Sequence, residues 1–279
     1  MIRSVALTAF ALAASGSSAG VQRDVVIPGK FFAPGREVVL IGDTVTWRNA
    51  DSSSHTVTAD DGAFDSGSFG PGGSFSHAFQ APGVYKYHCS IHRYMRGEVD
   101  VYGLALRAPG YAVPVGLPTA LVGLAPPEVG QVSVRRRETD GRFAEIGTAA
   151  VAVDGSFRFP LVADVPGVYL AAAGSLTSPA AAFTVAARVQ LRTKATGRTV
   201  RVTVQTDPAQ PAATVRLQEY VRERFDFVTV RSARLDGAGR AVFRVPVQRN
   251  LHLRALLPVG VGGYGRAVSR TVLVTQPGR

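Results

Sequence analysis

Pro82-Gly83-Val84-Tyr85-Lys86-Tyr87-His88-Cys89-Ser90-Ile91-His92-Arg93-Tyr94-Met95-Arg96-Gly97 decides both the fold class of this chain and its chemistry. The stretch leaves a Pro-Gly turn as a strand and reaches a tight loop, and a further strand-like run follows over 97–102. Successive side chains of a strand point to opposite faces, so Tyr85, Tyr87 and Cys89 share one side while Lys86 and His88 share the other. Cys89 can therefore point inward, and His88 cannot join it.

Cys89 is the only cysteine of the chain, and Met95 is the only methionine besides Met1. The spacing Cys-x2-His-x2-Met places Cys89, His92 and Met95 on one loop, short enough that little chain entropy is lost in bringing them together. A thiolate, an imidazole and a thioether, joined by a second imidazole, form the trigonal His2Cys set with a weak axial Met that suits copper. His55, within Asp51-Ser52-Ser53-Ser54-His55-Thr56-Val57-Thr58, supplies the second imidazole 34 residues earlier (89 − 55). Zinc is the rival metal, since Cys and His suit it, but zinc sites seldom include Met. An incidental core thiol with two surface imidazoles would leave the grouping of soft ligands with imidazoles without a reason.

Working outward, short runs at 21–27, 37–41, 44–48, 56–59, 74–79, 83–88 and 97–102 read as strands. Gly42-Asp43, Asp61-Gly62, Pro71-Gly72-Gly73 and Pro82-Gly83 fall between them, as turn chemistry requires. About seven short strands in roughly eighty residues predict a β-sandwich over 20–103. Trp47 sits in an apolar run and reads as core. His77 and His252 lack partners at metal spacing and are expected to be solvated. Asp60, Asp61 and Asp65 surround Gly62 like a calcium loop, but the terminal Glu is missing and a polar turn is expected.

Beyond Tyr102 the chain repeats itself. Pro126 matches Pro208, Arg142-Phe143 matches Arg224-Phe225, and Asp154-Gly155 matches Asp236-Gly237, each 82 residues apart (208 − 126, 225 − 143, 236 − 154). The repeat predicts two tandem β-sandwiches of immunoglobulin or fibronectin type III style, at 104–186 and 187–279, with one larger Greek-key domain as the alternative. The expected fold class is all-β throughout.

Arg3, the apolar run 5–14 and the small residues 15–20 read as a secretory signal over 1–19, cleaved after Ala19. Its apolar core of about ten residues is half of what a spanning helix needs, and no later segment supplies one. The expectation is an exported protein, periplasmic, cell-surface or extracellular, with an uncleaved anchor as the alternative. A single cysteine cannot form a disulfide within one chain, so a lone thiol in an exported protein calls for a role such as metal ligation. The net charge of +11 is uneven: residues 21–103 carry 7 Lys/Arg against 9 Asp/Glu, a balance of −2, and residues 104–279 carry 23 against 11, a balance of +12. The excess is nearly all Arg, without aromatic interleaving or a nucleic-acid motif, which argues against a nucleic-acid partner. Solvated strand faces account for it, with attraction to anionic cell-envelope polymers or to an acidic partner as the second reading.

One family joins these features. Val38-x2-Ile41-Gly42-Asp43-Thr44-Val45-Thr46-Trp47-x-Asn49, then His55-Thr56-Val57, then Pro82-Gly83-x-Tyr85-x-Tyr87-His88-Cys89-x2-His92-x2-Met95-Arg96-Gly97, resembles the cupredoxins, in the plastocyanin, pseudoazurin and amicyanin branch. The gap of two residues between His92 and Met95 resembles amicyanin. The resemblance covers about eighty residues and says nothing of 104 onward. It implies an eight-stranded Greek-key sandwich and one type 1 copper per chain, held by His55, Cys89, His92 and axial Met95. It also implies one-electron transfer between redox protein partners, with His92 at the solvent edge. Relatives often carry Asn after the first His to tie the two ligand loops. Thr56 stands there in this chain, and a Thr56 to Ser90 contact is the expected substitute.

The leading reading is an electron carrier, not an enzyme, with C-terminal sandwiches as spacer or docking modules. Copper oxidases and nitrite reductases use a His beside the type 1 Cys to bridge to another copper, and His88 holds such a position. Position 90 is Ser, however, and only His77 and His252 remain for a second centre, which needs several converging ligands and an open position. A surface binding or structural protein whose copper domain binds or stores the metal without shuttling electrons is the other alternative.

Overall fold

The computed structural model describes residues 20–276; the signal reading falls on residues 1–19, outside that range. The chain is all-β apart from two short 3-10 turns among the described residues, and it divides into two compact units between Tyr102 and Gly103.

Eight strands build the first unit: β1 (Gln22–Gly29), β2 (Phe31–Ala33), β3 (Arg36–Leu40), β4 (Thr44–Asn49), β5 (Thr58–Ala59), β6 (Ser74–Ala78), β7 (Gly83–His88) and β8 (Arg96–Tyr102). They form two four-stranded sheets, ordered β2-β1-β4-β6 and β3-β8-β7-β5. Two pairings are parallel, β1 with β4 and β3 with β8, and the remaining neighbours are antiparallel. The alternation read in the sequence sends Val25, Ile27, Val45, Trp47, Tyr87, Val99 and Val101 into one buried core. Trp47 is fully buried there, in edge contact with Tyr87 at 5.3 Å between ring centres. Tyr87 pairs with Gly97 across β7 and β8, and a Cβ on Gly97 would overlap the Tyr87 ring, so the core dictates glycine at that position.

The second unit opens with β9 (Ala105–Arg107), β10 (Val113–Pro114), β11 (Pro118–Leu124), β12 (Gln131–Arg137), β13 (Phe143–Ala150), β14 (Ser156–Val162), β15 (Gly167–Ala173), β16 (Leu176–Thr177), β17 (Ala181–Phe183) and β18 (Val185–Ala186). It continues with β19 (Arg188–Thr196), β20 (Thr199–Asp207), β21 (Thr214–Val221), β22 (Asp226–Arg234), β23 (Arg240–Pro246), β24 (Leu251–Leu257), β25 (Ala267–Val268) and β26 (Val272–Val274). The halves share one plan. A three-stranded sheet, β14-β11-β9 or β19-β20-β23, accompanies a larger sheet, β13-β12-β15-β16 with β17 on β15, or β22-β21-β24-β25 with β26 on β24. Each half has its own core, one around Leu121, Val132, Val134 and Tyr169, the other around Val202, Val215, Leu217 and Leu253.

The repeat extends to local detail. Asp154 accepts the Ser156 amide at 2.9 Å, and Asp236 accepts the amides of Ala238 and Arg240 at 3.0 and 2.9 Å, so each Asp-Gly pair turns the chain by side-chain capture of backbone N–H groups. Register shifts recur at Val134/Arg135 and Leu217/Gln218. The hairpin turns differ in one respect. Gly141 closes the first on the Glu138 carbonyl with φ +84°, whereas Phe225 closes the second on the Arg222 carbonyl with φ +49° and is 83% exposed.

Candidate metal centre

β7 delivers Cys89 just past its last residue, fully buried as a member of the core cluster of the first unit. The loop then closes on itself. The Met95 amide donates to the His92 carbonyl at 2.8 Å, and the Cys89 amide donates to the Met95 carbonyl at 3.3 Å. This returns His92 to the cysteine and leaves Met95 buried, 2% exposed, at the loop's end.

His55 comes from the segment between β4 and β5. Paired backbone bonds to Phe69, at 3.1 and 2.9 Å, hold its position. Asn49, also buried, shapes the approach: its amide donates to the Ser53 and Phe69 carbonyls at 2.8 and 3.2 Å, and its oxygen accepts the Asp51 amide at 2.9 Å. Asp51 in turn accepts from His55 Nε2 at 2.9 Å. That bond assigns the proton to Nε2 and leaves the Nδ1 lone pair free on the side of the cysteine, the arrangement by which an outer carboxylate orients a ligating imidazole. The bond from His55 also holds the Asp51 carboxyl below its ordinary range.

Three donor atoms converge. His55 Nδ1 and His92 Nδ1 each lie 3.8 Å from Cys89 Sγ, and all three atoms fall within 4.8 Å of one another. Bonds of about 2.3 Å to sulfur and 2.0 Å to imidazole nitrogen, opened to a trigonal angle, span about 3.7 Å, so one ion fits between them. His55 is fully buried and His92 half-buried, with the exposed Ile91 and Tyr94 beside it. The protein thus presents one edge of the site, through His92, to solvent.

The sulfur is electrostatically prepared. Burial opposes ionisation, but amide N–H groups of Thr56 and His92, each 3.4 Å from Sγ, and the two imidazoles outweigh it, holding the Cys89 thiol down at about 6. Thr56 does two things here. Its amide faces the sulfur, and its hydroxyl accepts the Ser90 amide at 2.7 Å, tying the His55 segment to the Cys89 loop as expected. Thr58 adds a hydroxyl contact to Ser90 at 3.1 Å.

The remaining candidates fall elsewhere. His88 points away, its Nδ1 2.6 Å from Asp60, which also pairs with Arg96. His77 departs from expectation: it is half-buried between Phe79, two residues on, and Phe64, which the fold brings in from outside the strand, at 4.9 and 4.7 Å between ring centres. His252 is exposed. Asp61 and Asp65 accept the amides of Ala63 and Gly67 at 3.0 and 2.9 Å, so these acids are engaged in turn geometry, not in a cation site. Asp51 and Asn49 are the functional residues that sequence reasoning passed over. Asp51, four residues before the histidine, was the signal that could have found one of them.

Residues 31–102 match the copper binding proteins of the plastocyanin/azurin family. The N-terminal unit is a cupredoxin-fold domain. It is related to the amicyanin and plastocyanin branch. The chain is 38% identical over 68 residues to amicyanin of Paracoccus denitrificans, a match covering 23% of this chain and 52% of that protein. It thus spans about half the length of that relative. It is 29% identical over 100 residues to chloroplastic plastocyanin of Tetradesmus obliquus, covering 32% of this chain and 69% of that one. Among solved structures it is similar to a purple cupredoxin from Nitrosopumilus maritimus, at 34% identity over 28% of this chain and 97% of that chain, with a TM-score of 0.27. His55, Cys89 and His92 of this cupredoxin domain form a potential copper site.

Proposed function

We propose that the chain is an exported type 1 copper protein that carries single electrons between protein partners. In this reading His55, Cys89 and His92 would hold one copper with Met95 as a weak further ligand, and residues 104–186 and 187–279 are immunoglobulin- or fibronectin-like sandwiches that space or dock the carrier. The observation that carries the reading is the convergence of two imidazole Nδ1 atoms on one thiol sulfur at 3.8 Å each. A copper ion there supplies a reversible Cu(I)/Cu(II) couple.

The chain's own residues do the rest. The depressed thiol presents a thiolate near neutral pH, Asp51 fixes the His55 ring, and the Thr56–Ser90 bond holds the two ligand segments at one spacing through a change of charge. His92, at the solvent edge, is the point of electron entry and exit. No substrate needs to reach the metal, so the protein is a carrier and not an enzyme.

The test is addition of Cu(II) to the full chain and to Cys89→Ser, with visible absorption and copper stoichiometry recorded together. An intense thiolate-to-copper band at one copper per chain, lost in Cys89→Ser, is the expected result. A colourless complex, or equal binding without the thiol, rejects the reading. Met95→Leu tests the axial assignment, which requires the band to survive with a shifted potential.

A further inference from the structure

Four arginines of the second unit, dispersed in sequence, line one groove. Arg188 and Arg192 stand on β19, Arg266 and Arg270 flank β25, and all four are exposed around a cavity of about 670 Å³. No Asp or Glu lines it. Arg188 has only a loose, exposed pairing with Asp207 at 3.5 Å, and Arg192, Arg266 and Arg270 have no carboxylate within 4.0 Å among the described residues. Arginine without a carboxylate is a fork awaiting one.

The backbone adds a second element. Every residue from Ala186 to Arg192 lines the groove, although alternate side chains of a strand point to opposite faces, so it is the edge of β19 that forms the wall. β19 pairs with β20 alone, and no backbone bond to another segment reaches 189–193. The side chains of Leu191, Val268 and Val272, partly exposed, supply apolar surface between the charges.

Charges on an edge strand often serve only to prevent unwanted pairing. That role would place them along β19, whereas Arg266 and Arg270 converge from the opposite wall. The corresponding strand of the first half, β9, has three residues, of which only Arg107 is basic. We propose that this groove binds an extended acidic peptide segment of a partner protein, which adds to the open edge of β19 and places its carboxylates on the arginines. A peptide backbone matches both the N–H and the C=O groups of a free edge, which an anionic polymer without amides cannot.

The test is binding of a short synthetic peptide of alternating Glu and Val to the full-length protein, measured by fluorescence anisotropy at low and high salt. The peptide should bind, weaken with salt, and lose about tenfold or more in affinity in R192E/R270E, while the matching Lys–Val peptide does not bind. R231E/R234E, on exposed residues of β22, should bind as the parent does. Failure of the parent to bind, or equal binding by R192E/R270E, overturns the proposal. An equal loss in R231E/R234E would mean that net charge alone is at work and would also overturn it. Polyphosphate binding as tightly, with the same arginine dependence, would replace the peptide by a generic anion and overturn strand addition. None of these outcomes depends on the metal site.

Discussion

The two units place their polar groups in opposite ways. The cupredoxin unit buries Asp43, Asn49, His55, Thr56 and Asp100, whereas the fully buried polar residues of the second unit, among the described residues, are neutral groups such as Ser178, Thr206, Gln210 and Gln218. Burying a polar group is costly unless it is bonded, and each of those in the first unit has a partner: Asp43 takes the amides of Val21 and Leu40, and Asp100 takes Arg36 through Oδ2, its Oδ1 being left without one. The difference teaches where each unit can act. One holds a desolvated set of donors in fixed positions; the other offers edges and charges at its surface.

The sharpest way to break that contrast is to add metal. Cu(II) should raise the melting transition of the first unit and leave that of the second in place, by about 4 kcal/mol when free metal stands a thousandfold above Kd. Calorimetry reads both transitions, and equal movement of the two would mean that the site is not confined to one core.

Titration of the metal-free thiol follows. Cys89 should ionise at about 6 instead of an ordinary 9.0, seen as thiolate ultraviolet absorbance. Because the folded value is the lower one, the thiolate's contribution to stability is full above pH 9 and is lost as the pH falls through about 6. A thiol that titrates near its ordinary value would show that the two amides do not point at the sulfur.

A smaller effect is expected from Asp51→Ala, which removes the group orienting His55. Copper affinity should fall about 10- to 100-fold in a competition titration, with the melting of the second unit unchanged. The smallest effect compares the two halves of the second unit. Phe225→Gly relieves a left-handed aromatic that buries little, and after the entropy cost of glycine it should stabilise by no more than about 1 kcal/mol in urea unfolding. The reverse change at the equivalent turn, Gly141→Phe, should destabilise by about 1 kcal/mol.

Much of this was legible because the signals were local. The strand over Gly83–His88 and the convergence of Cys89 with His92 follow from spacing and alternation, whereas the Thr56 to Ser90 tie was expected from the family resemblance. Other features depend on partners distant in sequence. The run 56–59 reads as a strand, yet only Thr58–Ala59 pairs, because the Thr56 amide turns to the Cys89 sulfur and the Val57 amide to the Ser66 hydroxyl. β2, with three residues, is too short to display a period. His77 was expected in solvent because nothing near it in sequence announces Phe64. The Arg residues looked scattered because their groove exists only once β19 and β25 lie side by side.

The parallel pairing of β3 with β8 sets Arg36 opposite Glu98, 62 residues later (98 − 36). Closing so long a loop before the pairing is rewarded makes folding slow. β8 also follows the Cys89 loop directly and pairs with β7 on the other side of it, so the only thiol is expected to stay reactive until the strands around it close. Its loss of reactivity during refolding would therefore time the completion of the first unit, and an oxidant present before that moment would find the sulfur unprotected.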